Sequence, residues 1–263
     1  MHLCLALLWT LSAAQAPPPP PAALPPAKQI LDRYVEVTGG RAAYEKGKHR
    51  TLTGTFELKG MGMKGSLLLQ QSAPDKMRTQ IDVPGVGSIV KGTDGIQAWE
   101  VSAVTGPRLL EGTEKSEALL EAAFDADLHP ERTYAKMETV RVEDLDGKPA
   151  YVVELTPKSG GAPRVSYYDK ESGRLIKFTA TATTAMGEVH AESRLEDYRP
   201  EGGIVVPHRV TLAAMGMEQV LTFDTFSMDP VPAATYAMPA EVKALLQPAP
   251  APPETAPAPA PGK

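Results

Sequence analysis

Apolar and polar residues alternate along most of the chain, and only a few short stretches follow a helical period. The clearest alternating run extends from Arg50 to Val101: RTLTGTFELKG, MGMKGSLLLQQS, KMRTQIDV, VGSIVKGT and GIQAWEVS. Period-two patterning broken by Gly, Pro and Asp predicts antiparallel strands joined by tight turns. A second run begins at Met137: METVRVEDL, KPAYVVELTP, PRVSYYD, GRLIKFTATATT, GEVHAESRLEDY, GIVVPHRVTLAA and MEQVLTFDTFS. Asp146-Gly147, Asp169 to Gly173 and Pro200 to Gly203 punctuate it. The two runs predict an α+β, mostly β protein: one curved antiparallel sheet of about eleven strands, too wide to stay flat.

Helices are expected in three places. Ile30, Leu31, Tyr34 and Val35 make an apolar stripe at helical spacing, with Pro26 at its start and Gly39-Gly40 as its stop. Arg41 to Lys46 adds a further turn. Glu114 to Ala126 reads as a second helix, capped by Thr113, with Leu119, Leu120, Ala123 and Phe124 on one greasy face. Ala240 to Leu246 reads as a short closing helix.

In a meander, successive turns fall at alternate ends of the sheet. One end then collects charged turns. The other collects glycine, proline and methionine, although tips normally favour Asn, Asp and Gly. Methionine is flexible and adapts to varied apolar shapes. Met61, Met63, Met186, Met215 and Met217 are therefore expected to rim the mouth of an apolar cavity, or else to tuck into ordinary core.

The chain has 263 residues and a net charge of −5, with no basic cluster to suggest nucleic acid or an anionic surface as partner. Residues 1–16 have an apolar core and end in Ala14-Gln15-Ala16, the pattern of a cleaved signal peptide. That run is too short to span a bilayer, so no transmembrane segment is expected after cleavage. Cys4, the only cysteine, falls inside it. The alternative, an acylated Cys4 anchor, leaves only three residues before it. Residues 17–26 are a stiff Pro-rich linker and residues 247–263 a Pro/Ala-rich tail, leaving 27–246 as the folded domain. A periplasmic or secreted location is expected.

No catalytic constellation emerges. Gly60-Met61-Gly62-Met63-Lys64-Gly65 matches the dinucleotide fingerprint in letters, but a strand follows where a helix is required. His49, His129, His190 and His208 have no partner at zinc spacing, so neither metal nor cofactor is expected. Trp99 reads as a core residue or a ligand contact.

VEVTGGRAAYEK, LTGTFEL, APDKMRTQIDVPGVG and GTDGIQAWEV together resemble the outer-membrane lipoprotein-sorting superfamily, the LolA-like and LolB-like proteins and their secreted relatives. YYDKESGRLIKFTATATTAMGEV is similar to that family's late hairpin, and LEDYRPEGGIVVPHRV to a late turn. The resemblance covers about Ile30 to Pro239. It implies an unclosed β-barrel around an apolar cavity, with helices covering the open side, and a non-catalytic protein that holds lipid or lipoprotein acyl chains. Transport to the outer membrane is one role this implies. Arg50 and Arg78 are candidates for the cavity arginine of the carriers. The expected lining is Leu67, Leu69, Ile81, Val90 and Trp99 from the sheet, with Leu119 and Phe124 from the helix. The alternative is an envelope sensor or protein-interaction module whose groove is filled by its own helix, with an envelope protein as partner.

Overall fold

The computed structural model describes residues 23–184 and 187–246. Six strands follow two short helices, α1 (Ala27–Val37) and α2 (Arg41–Lys46). These are β1 (His49–Leu58), β2 (Met63–Ser72), β3 (Lys76–Val83), β4 (Gly87–Thr93), β5 (Ala98–Ser102) and β6 (Gly106–Leu110). After α3 (Gly112–Ala122) and α4 (Pro130–Thr133) come β7 (Tyr134–Leu145), β8 (Lys148–Pro157), β9 (Arg164–Asp169) and β10 (Leu175–Thr184). The last strands are β11 (Gly187–Glu201), β12 (Ile204–Ala214) and β13 (Met217–Ser227), and α5 (Ala240–Ala244) ends the described chain.

All strands belong to one sheet in the order β6-β5-β4-β3-β2-β1-β13-β12-β11-β10-β9-β8-β7. It is therefore two meanders joined at mid-sheet by β1 and β13, the first strand and the last. The sheet curves without closing, because β6 and β7 remain free edges. Thirteen strands are present among the described residues, where the sequence suggested about eleven and spelled out twelve runs. β6 is the strand absent from the expectation. It is five residues long and contains Pro107, which an edge strand tolerates and a central strand does not.

Pairing register assigns the faces. Arg50, Leu52, Gly54 and Phe56 of β1 stand opposite Gln71, Leu69, Leu67 and Gly65 of β2, and Leu67 stands opposite Ile81 of β3. These residues share the inner face, the one that α1 and α3 cover. Leu52, Leu67 and Phe223 form an apolar cluster there, with Leu69, Ile81 and Leu221 packed against it. In the second meander the inner face carries Val153, Leu155, Tyr168 and Leu175, on which α1 lays Ala27, Ile30, Leu31 and Tyr34. Each large apolar side chain so buried contributes about 1.5–3 kcal/mol. α5 lies on the other, outer face, where Val242 and Met238 bury Trp99.

Curvature has a local cause at mid-sheet. The β1–β13 register slips by one residue between Thr53 and Gly54, a bulge that bends the strand. A Cβ on Gly54 would lie 1.9 Å from the Thr222 carbonyl oxygen, and one on Gly65 2.2 Å from that of Asp82. Only glycine permits this close approach of neighbouring backbones.

Candidate functional site

The enclosed space lies between the inner face of the second meander, α1 and α3. A cavity of about 380 Å³ is lined there by Leu31, Tyr34, Leu155, Tyr168, Phe178 and Ala180, among others. Helix α3 contributes Thr113, Ser116, Glu117, Leu120 and Glu121. That set repeats every three or four residues, so it is one helical face. Ser159, Gly160, Gly161 and Ala162, all exposed in the β8–β9 turn, also line the cavity and mark its mouth. A second cavity of about 310 Å³ lies beyond Arg50, lined by Tyr44, Phe124, Leu128, Phe226 and Met228 among others. Arg50 borders both. Its guanidinium stacks on Phe124, 4.8 Å from the ring centroid, and its Nε donates to Gln71 Oε1 at 2.5 Å.

The walls are apolar but the cavity holds charge. Burial pushes the Arg50 guanidinium below its usual range, opposed by Asp127, Tyr44 and Tyr34. The Asp127 carboxyl is pushed up by burial, opposed by Arg50 and Arg164. The Glu121 carboxyl is likewise raised by burial, with Lys91 opposing and Glu117 adding to the rise. Both residues are nonetheless exposed at the rim of the cavity they line, so solvent screens these carboxyls and the direction of each shift reflects the protein packed around them rather than exclusion from water. Burial also raises the phenol of Tyr34, and that of Tyr44 to about 12. Arg164 lies over the Phe178 ring, 3.7 Å from its centroid, and its Nε is buried with no hydrogen-bond partner. An unpaired buried donor is costly, and a ligand acceptor would relieve that cost.

The register separates the expected lining residues. Leu67, Leu69 and Ile81 come together on the inner face but border neither cavity. Val90 pairs with Val101 and Trp99 with Gly92, and all four side-chain positions lie on the outer face. Trp99 and Val90 therefore cannot line one surface with Leu67. Phe124 borders the smaller cavity. Leu119 is half-buried and sits one residue out of step with the cavity face of α3. That helix stops at Ala122, short of Ala126, and Thr113 makes no capping hydrogen bond. Arg78 stands on the outer face, bonded to Gln80, while Arg50 stands inside. Met61, Met63, Met215 and Met217 all lie at one end of the sheet, since the β1–β2 and β12–β13 turns are adjacent there. None borders either cavity. Met186 falls outside the described residues.

The residues that pattern reading missed are Arg164, Glu121 and Asp127. The first had a signal: Arg164, Ser166 and Tyr168 alternate on the inward face of an apolar strand, so an arginine there points inward, and Arg164 is half-buried with its Nε fully enclosed. Among the described residues no group of three His, Cys, Asp or Glu side chains could hold a metal ion, and no helix is long and apolar enough to cross a membrane.

A wide antiparallel sheet curled around one helix and bridged by another defines an unclosed half-barrel. The fold is LolA-like, that of the outer-membrane lipoprotein-sorting proteins. A LolA superfamily protein from Nitrosomonas europaea superposes with a TM-score of 0.56 at 16% identity, covering 81% of this chain and 98% of that one. A DUF1329 family protein from Desulfovibrio piger gives 0.54 at 14% identity, covering 81% and 97%. An outer membrane lipoprotein-sorting protein domain from Vibrio parahaemolyticus gives 0.50 at 16% identity, covering 76% and 92%. No family model matches the sequence, and no curated protein does.

Proposed function

We propose that the protein is a non-catalytic envelope protein that holds a single acyl chain in the larger cavity, with an acidic head beside Arg164. The observation that carries this reading is the cavity itself: an apolar wall from the sheet and α1 facing a polar one from α3, a mouth at the β8–β9 turn, and one buried guanidinium nitrogen without a partner. At roughly 30 Å³ per water-sized group, the space takes about a dozen non-hydrogen atoms. A dozen buried methylenes would gain about 10 kcal/mol gross, before ordering costs are subtracted. In this reading residues 1–16 are a leader, residues 17–26 and 247–263 tether or space the domain, and the chain works in the periplasm or outside the cell. Delivery of lipid or lipoprotein to the outer membrane is the role that fits the LolA-like fold.

A second reading has its own support. α1 already fills much of the inner face of the second meander, as a self-plugged sensor or interaction module would require.

Titration with unlabelled decanoic acid, followed by calorimetry, separates the two. The acyl-chain reading expects saturable binding that Ala180→Trp abolishes by filling the cavity. It also expects Arg164→Met to weaken the fatty acid about tenfold while leaving the matching alcohol unchanged, the scale of one charge-assisted hydrogen bond. Absence of binding to the wild-type chain would leave the plugged module.

A further inference from the structure

The two ends of the sheet differ in a way the cavity does not use. At one end, the described turns carry Asp75, Asp94, Asp146 and Glu171, together with Lys170 and Arg174 beside Glu171 and a single large exposed apolar side chain, Ile96. At the other, the turns carry exposed apolar side chains and no carboxylate among the described residues. Val104 of the β5–β6 turn is 76% exposed, Val86 of β3–β4 40%, Met61 of β1–β2 60% and Met215 of β12–β13 57%. Neighbouring tips are two strands apart, so they recur about every 10 Å along the rim. From Val104 to Met215 the row spans three such steps, about 30 Å.

We propose that this rim docks the protein on an anionic phospholipid membrane. Separate tips some 10 Å apart make no continuous patch of the kind a protein partner buries. A bilayer needs no such patch, because each tip can enter the interface independently. Charge fits the same partner. Lys59 and Lys158 are the only charged residues in the described turns of this end, and the acidic turns face away at the far end. Lys59 pairs with Glu218 at 2.7 Å, an exposed contact that a phosphate can replace at little cost. The β8–β9 turn, which forms the mouth of the larger cavity, lies at this same end. Met215 adds an independent sign. Its φ is +53°, a backbone conformation in which Gly or Asn is unstrained and methionine is not. The side chain occupies a position where the backbone conformation alone favours glycine or asparagine.

The test is co-sedimentation of the full chain with vesicles of phosphatidylcholine alone and with added phosphatidylglycerol. The comparison chain carries Met61→Ser, Val104→Ser and Met215→Asn, so anything outside the rim contributes equally to both. The wild-type chain is expected to bind both vesicles and to prefer the anionic ones. The triple variant should lose about tenfold or more in partitioning, on the scale of partly burying three apolar side chains. Its thermal midpoint should be unchanged or higher, because Asn accepts the left-handed turn, and its fatty-acid binding should match wild type. Lys59→Glu should remove the anionic preference and spare binding to phosphatidylcholine. A wild-type chain that sediments with neither vesicle, or a triple variant that sediments as wild type does, overturns the proposal.

Discussion

Arg50 holds its charge between two cavities, stacked on Phe124 and bonded to Gln71. Its surroundings show why carboxylates persist in an apolar chamber: Asp127 and Arg164 offset part of what burial costs. Glu121 is less well compensated, because Glu117 stands one turn before it on the same helical face. Burial raises the folded-state pKa of Glu121 above its unfolded value, so the folded chain binds more protons across that window. Stability from this group therefore falls as pH rises through the window. Glu121→Gln is expected to raise the melting temperature at neutral pH, and the gain should vanish as pH falls below the ordinary carboxylate range. Melting curves across pH check this; a gain that persists in acid would mean that packing, not charge, separates the variants.

Among the elements, β1 sets the shape. Gly54 sits at the bulge and against the Thr222 carbonyl, so Gly54→Ala is expected to cost about 3 kcal/mol through overpacking against backbone. Urea unfolding would measure it. Most strands were legible in the sequence because period-two alternation survives wherever one face is buried, as in LTGTFEL and RVSYYD. β6 was not, since a five-residue edge strand with a proline leaves little pattern. The face of α3 was legible only in part: Leu120 and Ala123 do line the larger cavity, but Leu119 does not. Its leucines suggested a greasy stripe, but the helix bridges the sheet and turns Ser116, Glu117 and Glu121 toward a cavity that also holds arginines. A polar lining of this kind is invisible to a rule that equates inward with apolar. The faces of Trp99 and Leu67 were likewise beyond pattern alone: alternation gives two faces within one strand, and only pairing register relates them between strands.

Over the whole molecule, the helices divide the labour between two faces. α1 and α3 enclose the cavity on the inside, while α5 seals Trp99 outside, leaving it 1% exposed. A ligand in the cavity is therefore expected to leave Trp99 emission unshifted, whereas a tryptophan placed by Phe178→Trp, against the lining, should report it. Steady-state fluorescence during the fatty-acid titration distinguishes the two. A shift at Trp99 would mean that the ligand occupies the outer face or moves α5.

The β1–β13 junction bears on how the chain comes into being. Every other neighbouring pair of strands is joined by a short hairpin, but Thr51 meets Ser227 across nearly the entire domain. During synthesis the first meander can assemble as it emerges, with β1 an unpaired margin until the final strand arrives. Closing so long a loop is the slow step that topology imposes. Until that clasp shuts, the nascent protein carries an adhesive border, which gives a chaperone something to shield.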